Sequence, residues 1–82
     1  MTLDELEQGK TAVIAEINLD GETLQRLMSL GFLPGAEVSV VRKAPFLDPF
    51  DISVCGSLVA VRKSEAQNIV LEEALVVGLT VR

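Results

Sequence analysis

The chain has 82 residues, which is enough for one small domain and too few for two, so we treat residues 1–82 as a single domain. Its 49% hydrophobic and 23% charged residues are typical of a globular protein and exclude an intrinsically disordered one. Its 12 acidic and 7 basic residues give a net charge of −5, which repels phosphate backbones and argues against nucleic acid binding.

The composition also restricts location and chemistry. One cysteine cannot form an internal disulfide, and no charged and then apolar leader opens the sequence, so we expect a cytoplasmic protein. No apolar run approaches the roughly 20 residues that cross a bilayer, so we expect no direct membrane insertion. Histidine is absent, which removes the commonest metal ligand and the commonest general base near neutral pH.

The first two predicted elements are a helical turn and a strand. Thr2 can cap a first turn in which Leu3 and Leu6 face inward. The β-branched and small apolar residues of Thr11–Ile17 alternate imperfectly. This pattern indicates a strand that either carries a bulge or is buried on both faces.

An amphipathic helix is predicted next. It begins at Asp20 or Gly21 and ends at Gly31, because glycine suits the left-handed position just after a helix. Phe32 can then fold back onto the helix as the accompanying apolar contact. Its apolar stripe, spaced at i, i+3 and i+4, comprises Leu24, Leu27 and Met28, with Leu30 beside them.

A tight turn connects this helix to the second strand. Leu33–Ala36 has Pro and Gly at the two central positions that a type II turn requires. In the strand that leaves the turn, Val38 and Val40 face the core while Glu37 and Ser39 face water.

The connection after the second strand is unusually apolar for a loop. Its candidate partner-binding residues are Phe46, Leu47 and Phe50, flanked by Arg42 and Lys43. Exposed large apolar groups mark interaction sites, and we expect Leu47 in particular to point outward. The alternative is that the two Phe rings close one end of the core, because a small core needs every aromatic residue.

Residues Asp51–Val61 predict a β-hairpin. Gly56 and Ser57 suit a two-residue type II′ turn, which needs glycine at its first central position. The resulting register pairs Cys55 with Leu58, Val54 with Val59, Ile52 with Val61 and Asp51 with Arg62. The last of these is expected to be a cross-strand ion pair.

A helical turn, a strand and an apolar tail complete the chain. Ser64 and Gln67 form a capping box, which predicts a helical turn over Ser64–Asn68. Ile69 and Leu71 then face inward from a fifth strand. The tail over residues 74–82 is too apolar for a loose end. We expect it to add a strand at a sheet edge or to contact a second copy in a homo-oligomer.

These elements predict a mainly β protein. Five short strands, one inserted α-helix, one short helical turn and several tight turns are best accommodated in a small, strongly bent antiparallel barrel.

No combination of residues typical of catalysis is present. Without histidine, Cys55 has no imidazole to activate it, and we expect a packed, unreactive thiol. Asp48 and Asp51 could offer two oxygens to a hard cation, but oxygen sites normally recruit more ligands, so we expect them to order the loop. No glycine-rich phosphate cradle follows a strand. We therefore expect no enzymatic activity, no cofactor and no metal site.

Several sequence stretches resemble a known family. They are TLDELEQGKTAVIAEI (2–17), LGFLPG (30–35), EVSVVRKAP (37–45), DP (48–49) and ISVCGSLVAVRKSEAQNIVLE (52–72). Each motif is weak alone, but their order and spacing are similar to those of the ferrous iron transport protein A family. The resemblance covers nearly everything except the tail.

The resemblance implies an SH3-like barrel, a cytoplasmic location and an accessory role beside ferrous iron transport protein B, a membrane permease with a GTPase domain. On this reading the chain is an adaptor that docks on the permease through the apolar loop and modulates iron uptake. The alternative is a metal- or ligand-sensing module related to the SH3-like C-terminal domain of iron-dependent repressors.

Overall fold

Five antiparallel strands form one sheet in the computed structural model, which describes residues 1–43 and 48–72. The elements are a 3-10 helix at Leu3–Glu5, β1 at Thr11–Ile17, α1 at Gly21–Ser29, β2 at Glu37–Arg42, β3 at Phe50–Val54, β4 at Ser57–Val61, α2 at Lys63–Ala66 and β5 at Ile69–Leu71. The strand order is β4-β3-β2-β1-β5. The predicted mainly β architecture, with one inserted helix and a short helical turn, is confirmed. The tail at 74–82 lies outside the described residues.

Strand β1 carries a bulge, which is one of the two alternatives that its sequence pattern left open. Its first half pairs with β2 through Thr11 to Val13, and its second half pairs with β5 through Ile14 to Ile17. The register with β5 shifts between Ile14 and Glu16. An extra residue in one strand bends it and increases its twist, so β1 can serve two partners on a curved sheet.

The concave side of the sheet holds an aliphatic core. In β2 the side chains of Val38 and Val40 are buried and that of Glu37 is exposed, as the alternation predicts. The other buried hydrophobic residues are Leu3, Leu6, Ile14, Leu27, Phe32, Phe50, Ile52, Val54, Val59, Val61, Ala66, Ile69 and Leu71. Burial of Leu3 and Leu6 confirms that the N-terminal turn faces inward.

Helix α1 buries less of its apolar stripe than the sequence predicts. Leu27 is fully buried and Leu24 half-buried, whereas Met28 is 43% exposed and Leu30 37% exposed. The expected inward stripe is therefore wrong at Met28 and Leu30, since Leu27 is the one residue of the helix that is fully buried.

The end of α1 follows the predicted geometry. The Gly31 N–H donates to the carbonyl of Met28 at 3.0 Å, and the Phe32 N–H donates to the carbonyl of Leu27 at 3.0 Å. These are the two hydrogen bonds of a Schellman motif, which leaves Gly31 at φ +107° and turns Phe32 into the core. The type II turn that follows is also present: the Ala36 N–H donates to the Leu33 carbonyl at 2.9 Å, and Gly35 has the positive φ, +94°, that this turn type requires at its third residue.

The hairpin register differs from the predicted one. Val54 pairs with Ser57 and Ile52 with Val59, so the turn residues are Cys55 and Gly56. Both have positive φ, at 51° and 80°, which is the conformation of a type I′ turn rather than type II′. The register moves by two residues, and because side chains alternate with period two, the same valines and isoleucines still face the core.

The start of α2 also differs. The helix begins at Lys63, and the Glu65 carboxylate accepts the backbone N–H of Arg62 at 3.0 Å. The predicted capping box of Ser64 and Gln67 is therefore wrong. The Glu65 carboxylate, three residues after Arg62, provides the local contact predicted for Gln67.

A close approach between Gly31 and the hairpin turn is open to a direct test. A Cβ at Gly31 would lie 2.8 Å from the Cys55 Sγ, whereas one at Gly9, which also has positive φ, would meet nothing within 4 Å. We expect Gly9→Ala to cost about 1–2 kcal/mol from backbone strain alone. Gly31→Ala should cost about 2–4 kcal/mol because it adds overpacking.

Urea unfolding of both variants measures the difference. Adding Cys55→Ala to Gly31→Ala should recover part of the lost free energy of unfolding. Equal losses for the two glycine variants would contradict the close contact.

Candidate functional site

The candidate surface lies at the end of the sheet where β2 ends and β3 begins. Arg42 and Asp51 are cross-strand partners there, with 3.3 Å between the Arg42 Nε and the Asp51 Oδ2. The Arg42 side chain is 76% exposed. The predicted ion pair of Asp51 with Arg62 is therefore wrong, because Asp51 faces Ala60 on β4 and Arg42 on β2.

Lys43 connects this end of the sheet to the N-terminal segment by hydrogen bonds. Its Nζ donates to the carbonyl of Leu6 at 2.9 Å, and its backbone N–H donates to the Gln8 Oε1 at 3.1 Å. The ammonium also lies 5.4 Å from the centroid of the Phe50 ring, within the range of a cation–π contact. Lys43 is thus half-buried and held in place, while Arg42 is presented to solvent.

Phe50 belongs to the core. Only 4% of it is exposed, so its ring closes this end of the core and is not available to a partner. For the Phe50 ring, this is the alternative that the sequence left open. Phe46 and Leu47 lie outside the described residues. Of the candidate surface, the structure therefore describes Arg42 and Lys43.

The two loop aspartates have separate contacts within the chain. The Asp48 Oδ1 accepts the backbone N–H of Lys63 at 2.6 Å, at the first residue of α2, and Asp51 pairs with Arg42. Asp48 thus joins the start of β3 to the helix that follows β4. Among residues 1–43 and 48–72, no three His, Cys, Asp or Glu side chains are grouped as a metal ion would require.

A cleft that no sequence motif indicates lies beside Asp48. It has a volume of about 510 Å³ and is lined by Arg26, Asp48, Pro49, Ala60, Arg62 and Glu65. The Arg26 guanidinium and the Glu65 carboxylate are 2.8 Å apart and connect α1 to α2. These two residues are 39 positions apart, and no local pattern signals such a contact.

Cys55 occupies an exposed position in the hairpin turn. Its Sγ lies 4.0 Å from the carbonyl oxygen of Gly31. The expected packing is therefore present on one side only, against the end of α1.

No helix within the described ranges has both the length and the apolar character that crossing a bilayer demands.

A curved five-stranded antiparallel sheet, with a short helix between its last two strands, defines a small SH3-like barrel. The sequence model of the FeoA domain matches residues 1–73, and the chain therefore belongs to the FeoA family. This confirms the resemblance described above and connects the chain to ferrous iron transport.

Relatives support this assignment. The FeoA protein of Chlorobium tepidum is 35% identical with a TM-score of 0.82, over 88% of this chain and 69% of that one. FeoA of Stenotrophomonas maltophilia, an SH3-domain protein complexed with zinc, is 35% identical with a TM-score of 0.78, over 90% and 92%. A fusion of Fe(2+) transport protein A with the Fe(2+) transporter FeoB, from Porphyromonas gingivalis, is 33% identical over 72 residues. These residues are 88% of this chain and only 8% of the fusion protein.

The likeness to metal-dependent repressors is one of fold alone. A manganese-dependent transcriptional repressor in complex with manganese is 22% identical, with a TM-score of 0.78 over 88% of this chain and 35% of the repressor. At this identity the comparison extends to the barrel and not to its chemistry.

The role of Asp48 predicts a graded response to substitution. Asp48→Ala removes the acceptor for the Lys63 N–H and should lower the free energy of unfolding by about 0.5–2 kcal/mol, as the loss of a helix cap does. Asp48→Asn keeps an acceptor oxygen and should cost much less. Asp51→Ala, which removes an exposed ion pair, should cost about 0–1 kcal/mol.

Thermal and urea unfolding of the three variants provide the measurement. An Asp48→Asn variant as unstable as Asp48→Ala would contradict the capping role.

Proposed function

We propose that this chain is a non-enzymatic accessory protein of ferrous iron transport that docks on the cytoplasmic region of a FeoB-type permease and modulates uptake. The observation that supports this proposal is the fusion protein of Porphyromonas gingivalis, in which a related segment and the transporter FeoB share one polypeptide.

Fusion supports direct contact for a physical reason. Covalent linkage turns an encounter between two molecules into an intramolecular one, with an effective concentration that reaches millimolar values for short flexible linkers. A high effective concentration is an advantage for a domain that acts through direct contact with the transporter. A separate chain of the same family must reach an equivalent surface by its own affinity, which favours a preformed docking face.

The charges of the chain suit a docking role. The net charge of −5 raises the rate of encounter with a basic surface of a partner, and apolar contacts then hold the complex. Several acids already serve the fold: Asp48 contacts α2, Asp51 pairs with Arg42, and Glu65 pairs with Arg26. Each of these side chains thus has a structural task rather than a place in a reacting cluster.

The docking face that we propose is the loop end of the sheet. Arg42 is exposed there, and Lys43 is fixed by its contacts with Leu6 and Gln8. The intervening loop contributes Phe46 and Leu47. Phe50 acts beneath this face by filling the core rather than by meeting the partner.

Replacement of Leu47 by Glu tests the docking face. A carboxylate in an apolar contact must be desolvated without a partner, so co-purification of the chain with the permease should weaken by about tenfold or more. The matched control is Leu33→Glu, the same change at a leucine that is 43% exposed outside this face. Both variants should keep the far-ultraviolet circular dichroism of the parent.

Two outcomes would count against the proposal. Unchanged binding of Leu47→Glu would remove the loop from the docking face. Binding of Fe²⁺ or Mn²⁺ at micromolar concentration by the isolated chain under anaerobic conditions, without binding to the permease, would favour the sensing module instead.

A further inference from the structure

The two outer strands of the sheet differ in how their edges are covered. Strand β5 is bordered by the N-terminal segment, because the Leu71 N–H donates to the carbonyl of Met1 at 2.8 Å and Thr2 bridges to Val70. Strand β4 is the outermost strand at the other end of the sheet. Within the described part of the chain, no segment pairs with its outer edge.

The hairpin register identifies which backbone groups lie on that edge. In an antiparallel pair, hydrogen-bonded and non-hydrogen-bonded residues alternate along the strand. The two-residue turn makes Val54 and Ser57 a hydrogen-bonded pair, so Val59 also bonds to β3. Leu58 and Ala60 consequently direct their N–H and C=O groups away from β3.

This edge lacks the usual protection against pairing. Natural edge strands are blunted by charged residues, proline or bulges, whereas β4 reads SLVAV, and its pairing with β3 is regular. The Leu58 side chain is 63% exposed, the largest exposure among the described large hydrophobic residues. Ala60 also lines the cleft with Arg26, Asp48, Arg62 and Glu65, but the strand itself carries no charge, and a regularly paired edge strand of this kind is a template for an added strand.

The chain itself contains a segment that suits this edge. Residues 73–82 read EALVVGLTVR, with charges only at the two ends. Leu75, Val77, Leu79 and Val81 alternate with other residues, which is the period-two pattern of a strand with one apolar face. Its uncharged middle matches the uncharged edge of β4.

We propose that residues 74–82 of one copy add as a strand to the outer edge of β4 in a second copy. The point where the described chain ends favours a second copy over the same one. The Glu72 N–H donates to the carbonyl of Val13, so the tail departs beside β1. Strand β1 is three positions from β4, a path of about 14 Å along the curved sheet, and no Gly, Pro, Asn or Asp before Gly78 provides a turn toward it.

A reciprocal exchange completes the arrangement. If each tail adds to β4 of the other copy, both free edges are covered at once and the assembly is closed by a two-fold axis. The outer edge of β4 contains neither Arg42 nor Lys43, and the argument for it does not use the docking role.

Oligomeric mass measured by size exclusion with light scattering tests this inference. The full chain should associate, and a variant truncated after Glu72 should be monomeric. Ala60→Pro removes an edge N–H without removing a bond to β3, and should raise the dissociation constant by about tenfold or more. Its matched control, Ala60→Ser, keeps the N–H and should associate like the parent.

Hydrogen exchange of the Leu58 and Ala60 amides distinguishes the alternatives. We expect slow exchange in the associated chain and fast exchange after truncation. A monomeric full chain, whether or not these amides are protected, would overturn the inference, as would association that survives truncation. If Ala60→Pro does not fold, Leu58→Lys places a charge on the same edge and should also yield a monomer, and a Leu58→Lys chain that still associates would overturn the inference.

Discussion

One strand, β1, holds the two parts of the sheet together. Its N-terminal half pairs with β2 and its C-terminal half with β5, and the register shift between Ile14 and Glu16 lies where one partner gives way to the other. Without this bulge, a straight strand could not turn both ladders around one core. The enclosed core is largely aliphatic, with Phe32 and Phe50 as its described aromatic rings.

Local sequence signals predicted the features that depend on a few neighbouring residues. Gly31 with Phe32 indicated the Schellman motif, and the alternation in β2 indicated which valines are buried. The hairpin register was not predictable in the same way, because a shift of two residues leaves Ile52 and Val54 facing the core in either case. The hydrophobic pattern of a strand therefore indicates which of its faces is buried. It cannot distinguish two pairing registers that differ by an even number of residues.

The candidate site was predictable to a lesser extent. The sequence brought Arg42, Lys43 and Phe50 to one region, but it could not decide between an exposed and a buried Phe50. Whether the Phe50 ring is buried depends on the extent of the core, and residues distant in sequence, such as Leu6, contribute to that core. The contacts of Asp48 with Lys63 and of Arg26 with Glu65 link separate parts of the chain, and they follow only from the closed fold.

The stretch between β2 and β3 is anchored independently on each side. Lys43 is hydrogen-bonded to Leu6 and Gln8, and Asp48 is hydrogen-bonded to Lys63, the first residue of α2. Neither anchor uses an atom of residues 44–47. The contacts that hold Lys43 and Asp48 therefore do not depend on the identity of the four residues between them, so under the proposed docking role those positions can vary among homologues while the two anchors are kept.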